Sequence, residues 1–292
     1  MKNKAERILI TKSSGQKVPF NVGKLKKSLL RAGANDFEAE EVISEIISLL
    51  VEGMSTGKIH KVAFRLLKNV SRPVAARYKL KQGLLELGPS GFPFERYVAE
   101  LLQVQEYKTQ VGVFLQGHCV THEVDITAEK EERHIMIECK FHNRPGYVCD
   151  IKIPLYIHSR FRDVATSKNV ATGQPEKFDQ GWVITNTRFS EDAAQYAKCM
   201  GMQLVSWDYP KNNALKDWID RSGLHPITSL TTLTQKEKQQ LLDDKIVLCK
   251  SIVNSREILE HIGVRPPRLQ KVQAECTALC EPFPMAVNSI KT

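Results

Sequence analysis

At 292 residues the chain is longer than one ordinary domain, and its 42% hydrophobic and 7% aromatic content belongs to folded protein, not to a disordered tract. The formal charge of +9 is uneven: residues 1–90 hold 17 basic and 8 acidic side chains and residues 91–221 hold 16 and 18, so the excess is N-terminal and the centre has room for a carboxylate cluster. No apolar run approaches the roughly 18 residues that would cross a bilayer. The start, MKNKAERILITKSSG, lacks an apolar signal segment, and seven scattered cysteines with no CxxC pair speak against a zinc ribbon and for a reducing cytoplasm.

In chain order, the pattern predicts a short strand at Arg7–Thr11, a turn at Ser13-Ser14-Gly15, and helices over Lys24–Ala32, Glu38–Val51, Ile59–Val70 and Val74–Leu87. Asn21 suits the N-cap of the first helix, and Ser55 or Thr56 that of the third. Leu87-Gly88-Pro89-Ser90-Gly91 breaks the run and marks a boundary. A helix at Pro93–Val104 precedes β-prone runs at Gln110–Leu115, His118–Thr127 and His134–Phe141, and a helix follows at Ile151–Thr166. Gly181–Thr185, Glu191–Met200 and Met202–Trp207 then read as strand, helix and strand with parallel pairing. After His225-Pro226, short helices are expected at Leu230–Leu242, Lys245–Ser251 and Arg256–Ile262, with Gly263 as a stop and the last ten residues frayed. Cys276 and Cys280, four apart, could share one helix face.

The sharpest chemistry lies in His122-Glu123-Val124-Asp125-Ile126 and Ile137-Glu138-Cys139-Lys140-Phe141. Side chains alternate along a strand, so Glu138 and Lys140 share a face, and a hairpin through Glu129–Arg133 brings Asp125 beside them. Two carboxylates can hold a hard cation, Mg²⁺ or Mn²⁺, and an ammonium can orient water or offset phosphoryl charge. The bland alternative is a salt-bridged strand surface. His118, His122 and His142 flank the site as polar rim residues. Arg160 and Asp163 are i,i+3 neighbours that can pair, and the arginines Arg160 and Arg162 are alternatively DNA-backbone contacts. Trp182 and Trp207 fit core packing.

These stretches, with Phe94-Glu95-Arg96, Leu101-Leu102 and Trp182-Val183-Ile184-Thr185-Asn186, resemble the Mrr-like branch of the PD-(D/E)xK nuclease fold over about 130 residues. The resemblance implies Asp125, Glu138 and Lys140 as catalytic residues. It adds Glu95 as the first-helix acid, with Glu100 as its competitor, and Asp125, Glu138 and Cys139 as the metal positions. Many Mrr-type proteins have Gln where this chain has Glu138.

Ile10-Thr11-Lys12, Gly15, Phe20-Asn21-Val22-Gly23-Lys24-Leu25 and Met54-Ser55-Thr56-Gly57-Lys58-Ile59-His60 resemble the ATP cone, the allosteric nucleotide-binding domain of ribonucleotide reductases and their repressor. The resemblance implies an ATP or dATP site built from Lys12, Asn21, Lys24, Leu25 and Thr56. Lys24 near a helix start suits phosphates in any case. Ser13 stands where that family often has a basic residue, and the absence of a P-loop argues against ATP hydrolysis here. Residues 226–248 weakly resemble helix-hairpin-helix modules.

The expectation is an α/β protein of three parts: an ATP cone (1–88), a nuclease core with a mixed sheet (91–223) and a helical segment (224–292). It would be a cytoplasmic, homo-oligomeric, Mg²⁺-dependent endodeoxyribonuclease regulated by ATP or dATP, with DNA as partner and no membrane. The rivals are a nucleotide-responsive DNA-binding regulator without catalysis, and a nuclease for RNA or branched junctions.

Overall fold

The structure, a computed structural model of the chain, describes residues 5–167 and 178–281. The chain forms two compact units: one holds the residues up to Gly83, His225–Gln240 and those from Cys249 onward, and the other holds Leu84–Leu224 and Leu241–Leu248.

The first unit opens with an antiparallel hairpin of β1 (Leu9–Thr11) and β2 (Lys17–Pro19), in register Ile10↔Val18. The sequence reading missed β2, whose three residues are too few to show alternation. Gly15, at φ +83, makes the turn, where its N–H bonds to the Lys12 carbonyl. Three helices follow, each stopped at its start by a polar side chain that satisfies an orphan N–H. Asn21 caps α1 (Val22–Arg31), an Asn35/Glu38 capping box starts α2 (Asp36–Leu49), and Ser55 rather than Thr56 caps α3 (Thr56–Val70). Leu29, Ile43, Ile46 and Leu67 form the centre of their shared core. The expected fourth helix is two short ones, α4 (Arg72–Tyr78) and α5 (Leu80–Leu85), interrupted at Lys79.

The second unit is a five-stranded mixed sheet with helices. After α6 (Phe92–Gln103) come β3 (Lys108–Gln116), β4 (Thr121–Lys130) and β5 (Arg133–Lys140). The chain continues through β6 (Val148–Cys149), α7 (Lys152–Ala165), β7 (Gln180–Thr185), β8 (Arg188–Phe189), α8 (Glu191–Cys199), β9 (Gln203–Val205) and α9 (Leu215–Ser222). The sheet order is β3-β4-β5-β7-β9, with β3, β4 and β5 antiparallel and β5, β7 and β9 parallel. The parallel half is the expected strand–helix–strand crossover. β6 and β8 pair as a two-residue parallel ribbon, too short to read in sequence. Phe94 and Tyr97 of α6 are fully buried, and the Tyr97 hydroxyl donates to the Leu224 carbonyl at 2.7 Å.

In the C-terminal segment a 3-10 turn (Ile227–Ser229) packs on α5: the Thr228 hydroxyl donates to the Gly83 carbonyl at 2.7 Å, and a Cβ on Gly83 would lie 2.5 Å from Ser229 Oγ. The expected helix Leu230–Leu242 begins only at Gln235, as α10 (Gln235–Asp243). The Thr231 and Thr232 N–H and hydroxyl groups all donate to the Glu275 carboxylate, and this holds the chain out of a helix. Lys245–Ser251 is likewise not an α-helix; a 3-10 turn at Cys249–Ile252 stands there. α11 (Arg256–His261) ends before Gly263, at φ +86. A last helix, α12 (Arg268–Cys280), was not anticipated beyond the Cys276/Cys280 spacing; it buries Leu269, Val272, Cys276 and Leu279 along one stripe. The expected frayed terminus lies outside the described residues. Among those residues no helix is long and apolar enough to cross a membrane.

Candidate active site

The pairing of β4 with β5 runs from Lys130↔Arg133 to Ile126↔Ile137 and stops there. The next pair would be Asp125 with Glu138. On the other side, the β3–β4 register passes from Val111↔Ile126 to Val113↔Val124, skipping Gly112 (φ +67) and Asp125. β5 stays paired with β7 as far as Lys140↔Thr185, and the Thr185 hydroxyl donates to the Lys140 carbonyl at 2.6 Å. One edge of β5 is thus held while β4 leaves the other, which opens a fork. The freed Cys139 N–H needs an acceptor. Asp125 Oδ2 supplies it at 2.7 Å, which ties Asp125 to the end of β5.

Glu138 is 5% exposed. Its Oε1 lies 2.7 Å from Lys140 Nζ, and its Oε2 lies 2.6 Å from Arg160 Nη1 of α7. Burial first, then the nearby Glu138 charge, pushes Asp125 up to about 6, against the pull of the Cys139 N–H, Lys140 and Arg160. Glu95, in the first turn of α6, is pushed up to about 7 by burial and then by Asp125, Glu138 and Glu123. Glu95 is thus within electrostatic reach of Asp125, Glu138 and Glu123, with Lys140 opposing. Glu100 is a turn and a half further along α6.

Cys139 is buried, and burial with the surrounding carboxylates pushes its thiol well above the usual range. A neutral thiol is a poor ligand for a hard cation. The N–H and C=O of one strand residue point to the same edge, so the Cys139 carbonyl, like its N–H, faces the fork. Among the described residues no three His, Cys, Asp or Glu side chains stand as a ready cation cage. The oxygen-rich donor set nevertheless suits Mg²⁺ or Mn²⁺, and a cation would relieve the repulsion that raises Asp125 and Glu95.

The expected Arg160–Asp163 pair does not form. Arg160 turns to Glu138 and to the Glu123 carbonyl, while Asp163 accepts from the Cys119 and Val120 N–H groups at 2.8 and 3.3 Å and meets His122 Nε2 at 2.8 Å. Asp163 is held well below the usual carboxylate range, chiefly by His122. It ties α7 to the β3–β4 turn, where it leaves no room for a Cβ on Gly117. His142 is more than a rim residue. It stacks on Tyr147 at 3.7 Å, lies 3.3 Å from Cys149 Sγ, and its backbone is bracketed by the Asn186 amide. Trp182 is half-buried, edge-on to Tyr107. Sequence reasoning missed the Arg160–Glu138 contact; its signal was an arginine on the helix after the candidate strand, whose partner only the fold selects.

In the first unit the Lys12 ammonium bonds Gln16 at 2.9 Å in the β1–β2 turn. Asn21 Oδ1 accepts the Lys24 N–H at 2.7 Å at the start of α1, where Lys24 is exposed. Thr56 is the first residue of α3, and the Thr11↔Ser55 bridge ties that helix start to β1. Leu25 is 7% exposed and belongs to the apolar core. Two helix starts and one hairpin turn therefore carry Lys12, Asn21, Lys24 and Thr56, and the positive ends of the two helix dipoles favour anions there.

The ATP cone domain family matches residues 8–81, the restriction endonuclease family matches residues 88–210, and the AF1548-like C-terminal family matches residues 225–280. The first two are the resemblances read from the sequence, in the expected order; the third is a family that the sequence reading did not name. An uncharacterized protein of Archaeoglobus fulgidus is 36% identical over 179 residues, which are 61% of this chain and 97% of that one. The crystal structure of a protein of unknown function, AF1548, aligns with a TM-score of 0.54 at 34% identity and covers 65% of this chain and 98% of that one.

Proposed function

Because the chain belongs to the family of that Archaeoglobus protein, and carries a restriction-endonuclease domain behind an ATP cone, we propose that it is a metal-dependent DNA endonuclease regulated by ATP or dATP. The observation that carries the reading is the fork at the end of β5, where Asp125 meets the Cys139 N–H and Glu138 meets Lys140.

The Asp125 and Glu138 carboxylates and the Cys139 carbonyl would hold Mg²⁺ or Mn²⁺, with Glu95 assisting. Such a cation supplies Lewis-acid polarisation of the phosphate and a lowered pKa for bound water. The chain's residues do the rest. The Cys139 N–H fixes the Asp125 rotamer, and the β7 tether fixes the backbone from which Glu138 and Lys140 project. Lys140, close to Glu138, can turn its ammonium to the attacking water or to the phosphoryl oxygens, where it offsets developing negative charge. Mg²⁺-dependent nicking of supercoiled plasmid by the purified chain tests the reading, and a folded protein that cuts neither DNA nor RNA with any divalent cation rejects it.

On the same reading residues 1–88 sense nucleotide, residues 91–223 cut, and residues 224–292 assist binding or assembly in a cytoplasmic homo-oligomer. Lys12, Asn21, Lys24 and Thr56 contact the nucleotide, and Leu25, which packs in the apolar core, supports the helix that carries Lys24. ATP or dATP then changes oligomeric state and cutting rate together, a coupling of roughly 1–3 kcal/mol. Light scattering and cleavage rates at saturating nucleotide check it; if both stay unmoved, the cone does not regulate the nuclease.

A further inference from the structure

We propose that Arg160 is a positioning residue that holds one oxygen of Glu138 and thereby sets how tightly the site binds its divalent cation, an inference that rests on the nuclease reading above. The two basic partners of Glu138 are not equivalent. Arg160 is held from several sides: Nη1 on Glu138 Oε2 at 2.6 Å, Nη2 on the Glu123 carbonyl, Nε 3.5 Å from His122 Nδ1, and the guanidinium 5.6 Å over the Tyr156 ring. His122 is itself fixed by Asp163 at 2.8 Å. The Arg160 side chain is 12% exposed, against 26% for Lys140. A planar guanidinium in this setting gives up several bonds if it leaves, whereas an ammonium on a flexible stem gives up little.

It follows that Oε1, held by Lys140, is the oxygen that Glu138 can offer to a cation, while Oε2 stays with Arg160. Glu138 then acts through one oxygen in a fixed rotamer. The same guanidinium places a positive charge beside the position a cation would take, so it weakens cation binding while it keeps the carboxylate aligned. Removing the charge should tighten cation binding and impair cleavage. A merely structural role has the opposite sign, because lost packing at Glu138 loosens the cation as well.

The test uses full-length, nucleotide-free protein titrated with Mn²⁺ in a calorimeter without DNA, alongside plasmid cleavage and thermal melts. Arg160→Gln should bind Mn²⁺ at least about tenfold more tightly than wild type, about 1.4 kcal/mol, because one positive charge close to the cation is removed, and should cut more slowly. Arg160→Lys keeps the charge but loses the fork of donors; its Mn²⁺ affinity should stay within about twofold of wild type while cutting falls. A folded Arg160→Gln protein with unchanged or weaker Mn²⁺ binding overturns the inference and leaves the nuclease reading intact if wild type binds and cuts. Should Arg160→Gln fail to fold, a several-fold loss of Mn²⁺ affinity in Arg160→Lys overturns it in the same way. Wild-type protein that neither binds Mn²⁺ nor cuts overturns the nuclease reading and this inference with it.

Discussion

The two candidate sites of this chain are built in opposite ways. At the fork of the sheet, charged groups are drawn inward: Glu138 is almost wholly buried, both its oxygens are engaged, and Asp125 is tied to a backbone N–H. In the cone, Lys12, Asn21 and Lys24 sit on the surface, at a turn and a helix start, with only local bonds. The difference teaches what each can do. Carboxylates crowded away from water repel one another and favour a cation, and their geometry is set before any ligand arrives. Exposed lysines beside helix N-termini cost little to desolvate and suit a ligand that must come and go.

The comparison breaks most visibly in catalysis. Asp125→Ala or Lys140→Ala should lower Mg²⁺-dependent cleavage by roughly 10²–10³-fold or more, the scale of losing one electrostatic stabiliser, with the fold retained by circular dichroism. Full cleavage by folded Lys140→Ala protein would end that assignment.

Packing offers a matched pair of tests, one in each unit. Gly117→Ala puts a Cβ 2.1 Å from Asp163 Oδ2 and 2.5 Å from the Val120 carbonyl, and Gly83→Ala puts one 2.5 Å from Ser229 Oγ and 3.1 Å from the Ser229 nitrogen. Each should cost about 1–3 kcal/mol in denaturant melts. Gly117→Ala, which meets a clamped carboxylate and backbone, should be the worse of the two; equal, negligible effects would show that both turns yield easily.

In the cone, Lys24→Ala should weaken ATP or dATP binding about tenfold, near 1.4 kcal/mol, by calorimetry. No nucleotide binding by nucleotide-free wild type would remove the premise.

The last effect is on pH. Burial, with the neighbouring carboxylates, pushes Asp125 up to about 6 and Glu95 up to about 7, above their ordinary 3.8 and 4.5. The folded chain therefore binds more protons than the unfolded chain between these values. Their stabilising contribution is complete below about pH 4 and is lost as pH rises through about 6 to 7. Melting temperature without divalent cation should decline across that window, and Glu95→Gln should flatten the decline. An unaltered slope in Glu95→Gln would show that Glu95 is not part of the cluster.

Much of this was legible in the sequence because it is local. Apolar periodicity and cap residues located α1 to α3, and Asn21 and Ser55 act as caps because a side-chain oxygen three residues before an orphan N–H needs no tertiary help. Alternation along β5 correctly placed Glu138 beside Lys140, since the period of a strand is two. The rest depended on residues far apart in the chain. Whether Arg160 bonds Asp163 three residues on or Glu138 twenty-two residues back is decided by where α7 is laid on the sheet. Whether Thr231 and Thr232 continue a helix is decided by Glu275, more than forty residues later. And the fork that joins Asp125 to Cys139 exists because β7 holds one edge of β5 while β4 departs from the other, a balance of pairings that no short stretch of sequence contains.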